Sequence, residues 1–544
     1  MRFGAQLQWE HNNNNLLGGA RPIYSFSGLF NLANDTPIFE AINADPSTGQ
    51  PIDLQRYFRT SDRALFVQDD WKLTPFLTLN LGLRYEYFSP LTEKEGRLSN
   101  LVFGANGLQD SRVVVFDSLY KSDRNNFGPR LGFAWNPPGV RNNLVLRGGF
   151  AVFYNRFPTV VFNNVRGNPP FFARYNLCCG TVDNPFADNR IIYSLGANRS
   201  PFSYPVNPAL APGIDPETGG PRGVQAEIYG AEPEMPNPYV YIYSLELQRL
   251  LPYHLAVSLG YQGSTGHKLL RTVNLNFLRP ANPNFFAVYF PLHDINSNYN
   301  ALNVRLSREF LEGLRFDGIY RWSKSIDYGS GEFGAAANQT YPIELRTERG
   351  PSDFDAAHYL VFSALWNLPF FSGHSDWLGK AFGGWHVSSI VTAHSGLPWT
   401  PKTGQPLSIP NLAPTRPIQQ ISQPLDDRGD EAFTRPGGNF PGGGRTYFDI
   451  QTQGPPGIGR NSFRGPRYSS ADISVIKQIS LPGQYGIEPR LEIRANLFNV
   501  FNSLNLESFG FFSPGTFIEN DFFFGRSERG LAGRVIELQA RIEF

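Results

Sequence analysis

No stretch of the 544-residue sequence approaches the ~20 consecutive apolar residues that a membrane-crossing helix requires. That excludes helical spanning but leaves β-barrels open, because their strands carry a much weaker hydropathy signal. Cysteine is nearly absent, with Cys178 and Cys179 adjacent in a long Pro/Asn-rich stretch. Neighbouring cysteines pair badly for geometric reasons, and without a second pair or nearby histidines they form no zinc site. Charge of one sign is missing too: 48 Lys and Arg face 47 Asp and Glu, a net charge of +1, which argues against nucleic acid as a main partner. No nucleophile elbow, phosphate loop or cysteine-histidine cluster occurs, so nothing marks an enzyme or a bound cofactor.

What is present is aromatic and turn-rich. Aromatic residues reach 14%, beyond what a core needs, with 54 Gly and 44 Pro against 2 Met. Girdles of Tyr, Trp and Phe at two membrane interfaces, with long loops outside them, account for such a composition. The C-terminus shows the building unit. Counting back by two, Phe544, Ile542, Ala540, Leu538 and Ile536 are apolar, while Glu543, Arg541, Gln539 and Glu537 between them are polar. A strand puts these two sets on opposite faces, one oily and one wet.

The same alternation opens the chain at Phe3, Ala5, Leu7 and Trp9, and residues 23–30 read as the returning strand. Residues 63–73 and 77–88 form the clearest hairpin, with Leu77, Leu79, Leu81, Leu83, Tyr85 and Tyr87 on one face. Further strands are expected at 128–135, 144–153, 239–249, 254–263, 300–308, 313–322, 358–367, 384–394, 471–480 and 490–500. The stretches 89–127, 154–238, 264–299, 323–357, 395–470 and 501–533 read as long loops that alternate with short links. Outer-membrane barrels have this segregation, short turns on the periplasmic side and long loops outside. The expected fold is therefore all-β, a transmembrane antiparallel β-barrel with about fifteen visible strands, and residues 1–544 read as part of one barrel domain. Bacterial barrels have even strand numbers, and Met1–Glu10 shows no basic start followed by an apolar run. Both features lead to the expectation that sequence upstream belongs to the same protein.

The polar face of these strands carries Arg84, Glu86, Arg130, Arg147, Glu246, Arg305, Arg315, Asp317, Glu492 and Arg494. These are the lumen-facing candidates, and a mixed polar barrel interior explains them without invoking specific substrate contacts. Asp353, Asp355 and His358 could be imagined as a metal or acid/base cluster, but they stand where a long loop re-enters a strand, where Asp commonly caps turns. His386 and His394 share a face of one strand yet lie too far apart to ligate one metal. Asp69 and Asp70, next to Trp71, read as a lumen and interface feature.

Several segments resemble the Oar-like branch of TonB-dependent outer-membrane transporters, of the kind abundant in Acidobacteria. They include Phe66-Val67-Gln68-Asp69-Asp70-Trp71 running on to Leu81-Gly82-Leu83-Arg84-Tyr85-Glu86, and Asn126 to Trp135. Asn237-Pro238-Tyr239, Gly260 to Ser264, Asp353-Phe354-Asp355, Gly459 to Pro466 and Arg494 to Asn502 follow in the family's order. The resemblance covers nearly the whole chain. It implies a barrel of about 22 strands whose lumen holds an N-terminal plug, preceded by a segment that engages the TonB complex and often by a small regulatory-like domain. None of those parts is in this sequence. It also implies that the final strand, through Leu538, Ala540, Ile542 and Phe544, is read by the barrel-assembly machinery.

The function so implied is energy-coupled uptake of an unidentified bulky solute across the outer membrane, with lipid, the assembly machinery and the TonB complex as partners. The alternatives are a passive outer-membrane pore or cell-surface interaction protein without energy coupling, and a soluble all-β carbohydrate binder.

Overall fold

A computed structural model describes residues 1–15, 23–26, 28–33, 39–50, 52, 55–139, 143–177, 213–222, 225–278, 280–331, 341–371, 377–404, 415–417, 419–424, 430–435, 438–449, 455–481, 489–510 and 513–543. Cys178, Cys179 and Phe544 lie outside the described residues.

Fourteen long strands build the wall: β1 (Arg2–Asn15), β2 (Gln55–Thr74), β3 (Leu77–Phe88), β4 (Phe127–Trp135), β5 (Leu144–Tyr154), β6 (Tyr239–Leu251), β7 (Leu255–Asn274), β8 (Phe285–Leu311), β9 (Leu314–Asp327), β10 (His358–Asn367), β11 (Trp385–His394), β12 (Tyr468–Ser480), β13 (Arg490–Phe498) and β14 (Val535–Glu543). Each pairs antiparallel with the next in sequence. Thr92–Glu93, Ala226–Tyr229 and Gly350–Pro351 extend the ladder as short additions, giving a sheet of 17 strands. Sequential antiparallel pairing places alternate connections at opposite ends, most of the short ones at one and most of the long ones at the other, with the links 275–284 and 368–384 as the exceptions. Two links are of two residues, Pro75-Phe76 between β2 and β3 and Glu312-Gly313 between β8 and β9, the latter with φ of 52° and 80°. Two successive positive φ values are the turn geometry that matches strand twist in a two-residue hairpin.

Two expectations are corrected. Residues 23–30 are not a wall strand: Ile23–Ser25 pairs with Phe39–Ala44, which pairs in turn with Ala173–Leu177 in a small separate sheet, and a short helix, Leu29–Ala33, follows. The partner of β1 is β2, in a continuous register from Arg2↔Gln68 to Asn15↔Gln55. That fourteen-residue ladder pairs one edge of β1 along its length, and among the described residues the wall has fourteen strands where about fifteen were expected. The second correction concerns 264–299. Most of it continues the β7–β8 ladder, with register running from Leu255↔Arg308 to Asn274↔Tyr289 and shifting on either side of Leu269. The bulges break the two-residue alternation, so the stretch reads as loop in sequence.

Both termini of the sheet are edges. β1 pairs with β2 and β14 with β13, and no register joins β1 to β14 among the described residues.

The apolar core lies not along the lipid-facing part of the wall but at its loop end. Leu538 is 81% exposed and Phe3 83% exposed, on the outward positions of β14 and β1. Buried apolar side chains gather in three clusters at the long-loop end. The first joins Leu91, Leu98 and Tyr120 to Phe157, Phe162 and Met235. The second packs Leu101 and Leu108 on Ile228, Phe285 and Phe290. The third packs Trp399 with Phe440, Phe448, Ile518 and Phe524. The first two share the β3–β4 and β5–β6 connections, the second adding the loop-end parts of β7 and β8, and the third draws on the β11–β12 and β13–β14 connections, so the loops and the strand ends beneath them form a cap.

Candidate functional site

Register decides which side chains share a face. Arg84 pairs with Gly128 and Arg130 with Gly82, while Arg147 pairs with Glu246 across β5 and β6. Arg305 and Asp317 stand on the same face of β8 and β9, joined by bonds from Nε at 2.8 Å and from Nη2 at 2.6 Å. Arg315 lies two residues before Asp317, its guanidinium over Phe310. Arg84 Nε donates to Glu86 (2.8 Å) and its Nη2 to Gln6 (3.0 Å). Arg130 sits over the Phe153 ring at 4.8 Å. At the far end Arg494 donates to Glu492 (2.8 Å), and Glu492 faces Arg541 in the β13–β14 register. All ten candidates stand on the polar face, and six of them form three ion pairs, Arg84–Glu86, Arg305–Asp317 and Arg494–Glu492. Ile536, Leu538, Ala540 and Ile542 share the opposite face of β14.

The outward face has two aromatic bands. Trp71, Trp135, Trp366 and Trp385 stand near the short-turn end, and Tyr57, Tyr87, Tyr239, Tyr241 and Tyr320 near the loop end. Between them lie Leu65, Leu83, Leu131, Leu245 and Leu259, each more than 40% exposed. Asp70 belongs to the polar face and accepts from Asn80 at 2.7 Å, whereas Asp69 and Trp71 point outward.

Asp353, Asp355 and His358 do not form one centre. Asp355, 2% exposed, accepts from the Ser325 amide (2.7 Å) and pairs with Arg464 (2.5 Å) and Lys324 (3.5 Å). Asp353 accepts from Asn461 (2.6 Å) and Arg460 (3.2 Å). His358 faces outward instead, its Nδ1 2.7 Å from the Tyr320 hydroxyl. His386 contacts Asn367 (2.7 Å), and His394 stacks between Tyr359 and Tyr468 with centroids 6.0 and 5.2 Å away.

The carboxylates belong to a latch between two long loops. Arg460, 4% exposed, pairs with Asp327 as well as Asp353, and donates to the carbonyls of Glu348 (2.8 Å) and Gly350 (3.2 Å). Arg416 donates to Glu348 at 2.8 Å, with both side chains fully buried, and to the Ile458 carbonyl at 2.9 Å. Burial pulls the Arg416 charge down, with Glu348 offsetting it. The latch thus ties the β9–β10 connection to the β11–β12 connection through charge-assisted bonds. Sequence reasoning missed Arg416, Glu348 and the roles of Arg460 and Arg464. The signal was present: two of the family-like stretches, Asp353-Phe354-Asp355 and Gly459 to Pro466, are the two halves of the latch.

Asparagines complete the cap. Asn100 donates to the carbonyls of Leu119 (3.0 Å) and Ala231 (2.9 Å) and accepts from the amides of Leu101 (2.8 Å) and Ala231 (3.1 Å). Lys402, 1% exposed, lies 5.3 Å from the Phe517 ring centroid; burial pushes its ammonium down to about 7, partly offset by Asp353. Beside the latch, on the polar face, a cavity of about 430 Å³ is lined by residues that include Tyr299, Arg321, Phe354, Tyr359 and His394.

This combination of an outward apolar belt between aromatic bands, a polar inner face and a loop cap defines an outer-membrane β-barrel. The chain belongs to the outer membrane beta barrel domain family, whose model matches residues 1–537. Solved structures similar to it include the outer membrane transporter YddB from Escherichia coli, at 9% identity and TM-score 0.44, covering 92% of this chain and 59% of that one. The siderophore receptor PiuA from Acinetobacter baumannii matches at 10% identity and TM-score 0.38, covering 93% and 44%. The pyoverdine outer membrane receptor FpvA from Pseudomonas aeruginosa matches at 10% and 0.42, covering 90% and 43%. The chain therefore spans less than two thirds of each of these structures. No curated protein matches it.

Proposed function

We propose that this chain is the C-terminal barrel portion of a TonB-dependent, Oar-like outer-membrane transporter that takes up a bulky solute. The observation that carries the reading is the pair of unjoined edges, β1 and β14, on an otherwise continuous ladder. Unpaired backbone groups at membrane depth cost several kcal/mol each, so a barrel wall needs further strands between these edges. Fourteen strands of the about 22 that plugged transporters use leave a gap for upstream segments. In the complete protein the polar face, with Arg84, Glu86, Arg130, Arg147, Glu246, Arg305, Arg315, Asp317, Glu492 and Arg494, lines the lumen and meets the plug. Leu538, Ala540, Ile542 and Phe544 give the assembly machinery its final strand, and TonB is engaged only through upstream sequence.

The packed cap favours a second reading, a cell-surface interaction protein or passive pore whose loops are themselves the working surface. One experiment separates the two: an immunoblot of native outer membranes with an antibody against residues 438–449. A fully denatured band far above 61.0 kDa supports the energy-coupled transporter. A band at 61.0 kDa makes the uncoupled protein the better reading.

A further inference from the structure

The outward rim of β1–β3 at the loop end is basic. Arg59 and Arg63 occupy outward positions of β2, in register with His11 and Leu7 of β1. Arg63 stands opposite Tyr87 of β3 and lies 5.9 Å from its ring centroid. Arg59 and Lys94 both lie over Tyr57, at 5.8 and 5.7 Å. Their neighbours are neutral: Arg59 donates to Asn13 (3.1 Å) and to the Phe58 carbonyl (2.8 Å). From Leu7, Arg63 and Leu83 to the loop end, the outward positions of β1, β2 and β3 carry no acidic residue. The nearby acids are engaged elsewhere. Glu93 turns inward, accepting from the amides of Tyr57, Glu95 and Arg97, and Glu95 pairs with Arg97.

Directly below this rim the same face is apolar: Leu65 is 60% exposed and Leu83 43% exposed, while Trp9, opposite Ser61, stands within the rim itself. Cations above a lipid-facing belt sit at the headgroup level, where long basic side chains and tyrosines bridge hydrocarbon and water. We propose that Arg59, Arg63 and Lys94 form a binding site for the phosphorylated headgroup of an outer-leaflet glycolipid, whose acyl chains lie on Leu65, Val67, Leu81 and Leu83. Three cations without carboxylate partners among the described residues complement a phosphate, and the arginines present planar forks to its oxygens. Tyr57 and Tyr87 hold the cations at the rim through their ring faces.

The test uses the full chain folded in a neutral maltoside detergent, with diphosphoryl lipid A as the probe and phosphatidylcholine as the uncharged comparison. Retention of lipid is counted by native mass spectrometry and affinity by tryptophan fluorescence. The wild type is expected to hold lipid A at least roughly tenfold more tightly than the R59Q/R63Q/K94Q variant, since each cation near a lipid surface contributes appreciably. The charge-keeping R59K/R63K variant is expected to retain most of the binding. Equal retention of lipid A by the triple variant, or of phosphatidylcholine by the wild type, overturns the proposal. Salt titration of the wild type alone keeps the test valid if the triple variant fails to fold: binding is expected to weaken as salt rises, and salt-insensitive binding overturns it.

Discussion

The wall and the cap of this molecule are stabilised by different physics. In the wall, Leu538 and Phe3 are among the most exposed side chains of the protein, and order comes from long backbone ladders and from lipid. In the cap, Leu98, Ile518 and Phe524 are buried, and Asn100 satisfies the carbonyls of Leu119 and Ala231, backbone groups of the connections. The comparison teaches that the loops are not passive connections: they carry the water-excluding cores while the wall borrows its apolar solvent from the membrane.

The largest expected effect falls on the cap. Arg416→Ala removes the cation that faces the buried Glu348 carboxylate, which is expected to cost about 3–5 kcal/mol of local stability. Limited proteolysis should then cut within 395–467 while the β1–β14 wall stays intact; loss of the wall together with the cap would erase the distinction between them. The double variant Arg416→Met with Glu348→Leu should recover most of that loss, because removing both buried charges removes the desolvation they suffer. Trp399→Ala empties the centre of the third cluster, where Phe509, Phe463 and Phe524 lie 4.8, 5.6 and 5.7 Å away, and is expected to cost about 3–5 kcal/mol with the same local signature.

On the wall, Leu538→Arg puts a cation on the lipid face of β14 and is expected to cost about 2–4 kcal/mol if the position lies near the bilayer midplane. Reduced insertion of refolded protein into vesicles, with unchanged proteolysis of the loops, is the pattern to look for. Lys402 gives a pH dependence confined to the cap. Its ammonium is held near 7 when folded against about 10.5 when unfolded, so the unfolded chain binds the extra proton between those values. Cap stability should therefore rise from pH 7 toward pH 10, and Lys402→Met should flatten that slope in a protease-protection titration. The smallest effect is expected for Arg305→Ala. Its pair with Asp317 is half exposed, so the loss should be at most about 1 kcal/mol, measured as a shift in denaturant midpoint.

Much of the wall was legible in the sequence because a strand that separates lipid from water must alternate. Leu77 to Tyr87 and Ile536 to Ile542 could be assigned to an apolar face from parity alone, and their registers keep them there. Pairing was less legible. Residues 23–30 and the Asn-rich end of β1 give no parity signal that chooses a partner, and the choice of Gln55–Ser61 is made by a ladder that spans the loop between them. In β7 and β8 the bulges near Leu269 hide a continuing hairpin.

The site was legible only as residue types. Asp353, Asp355 and His358 are neighbours in sequence, yet the strand re-entry turns His358 outward to Tyr320 while the carboxylates meet arginines about a hundred residues away. Alternation, aromatic content and loop spacing are local properties, so the chain alone determined an antiparallel wall with one face for lipid and one for water. Which loops close over it, which charges are buried in pairs and which cations are left facing the membrane rim depend on contacts between segments distant in sequence. Those were decided by the tertiary structure, because burial and charge pairing exist only once the connections have packed.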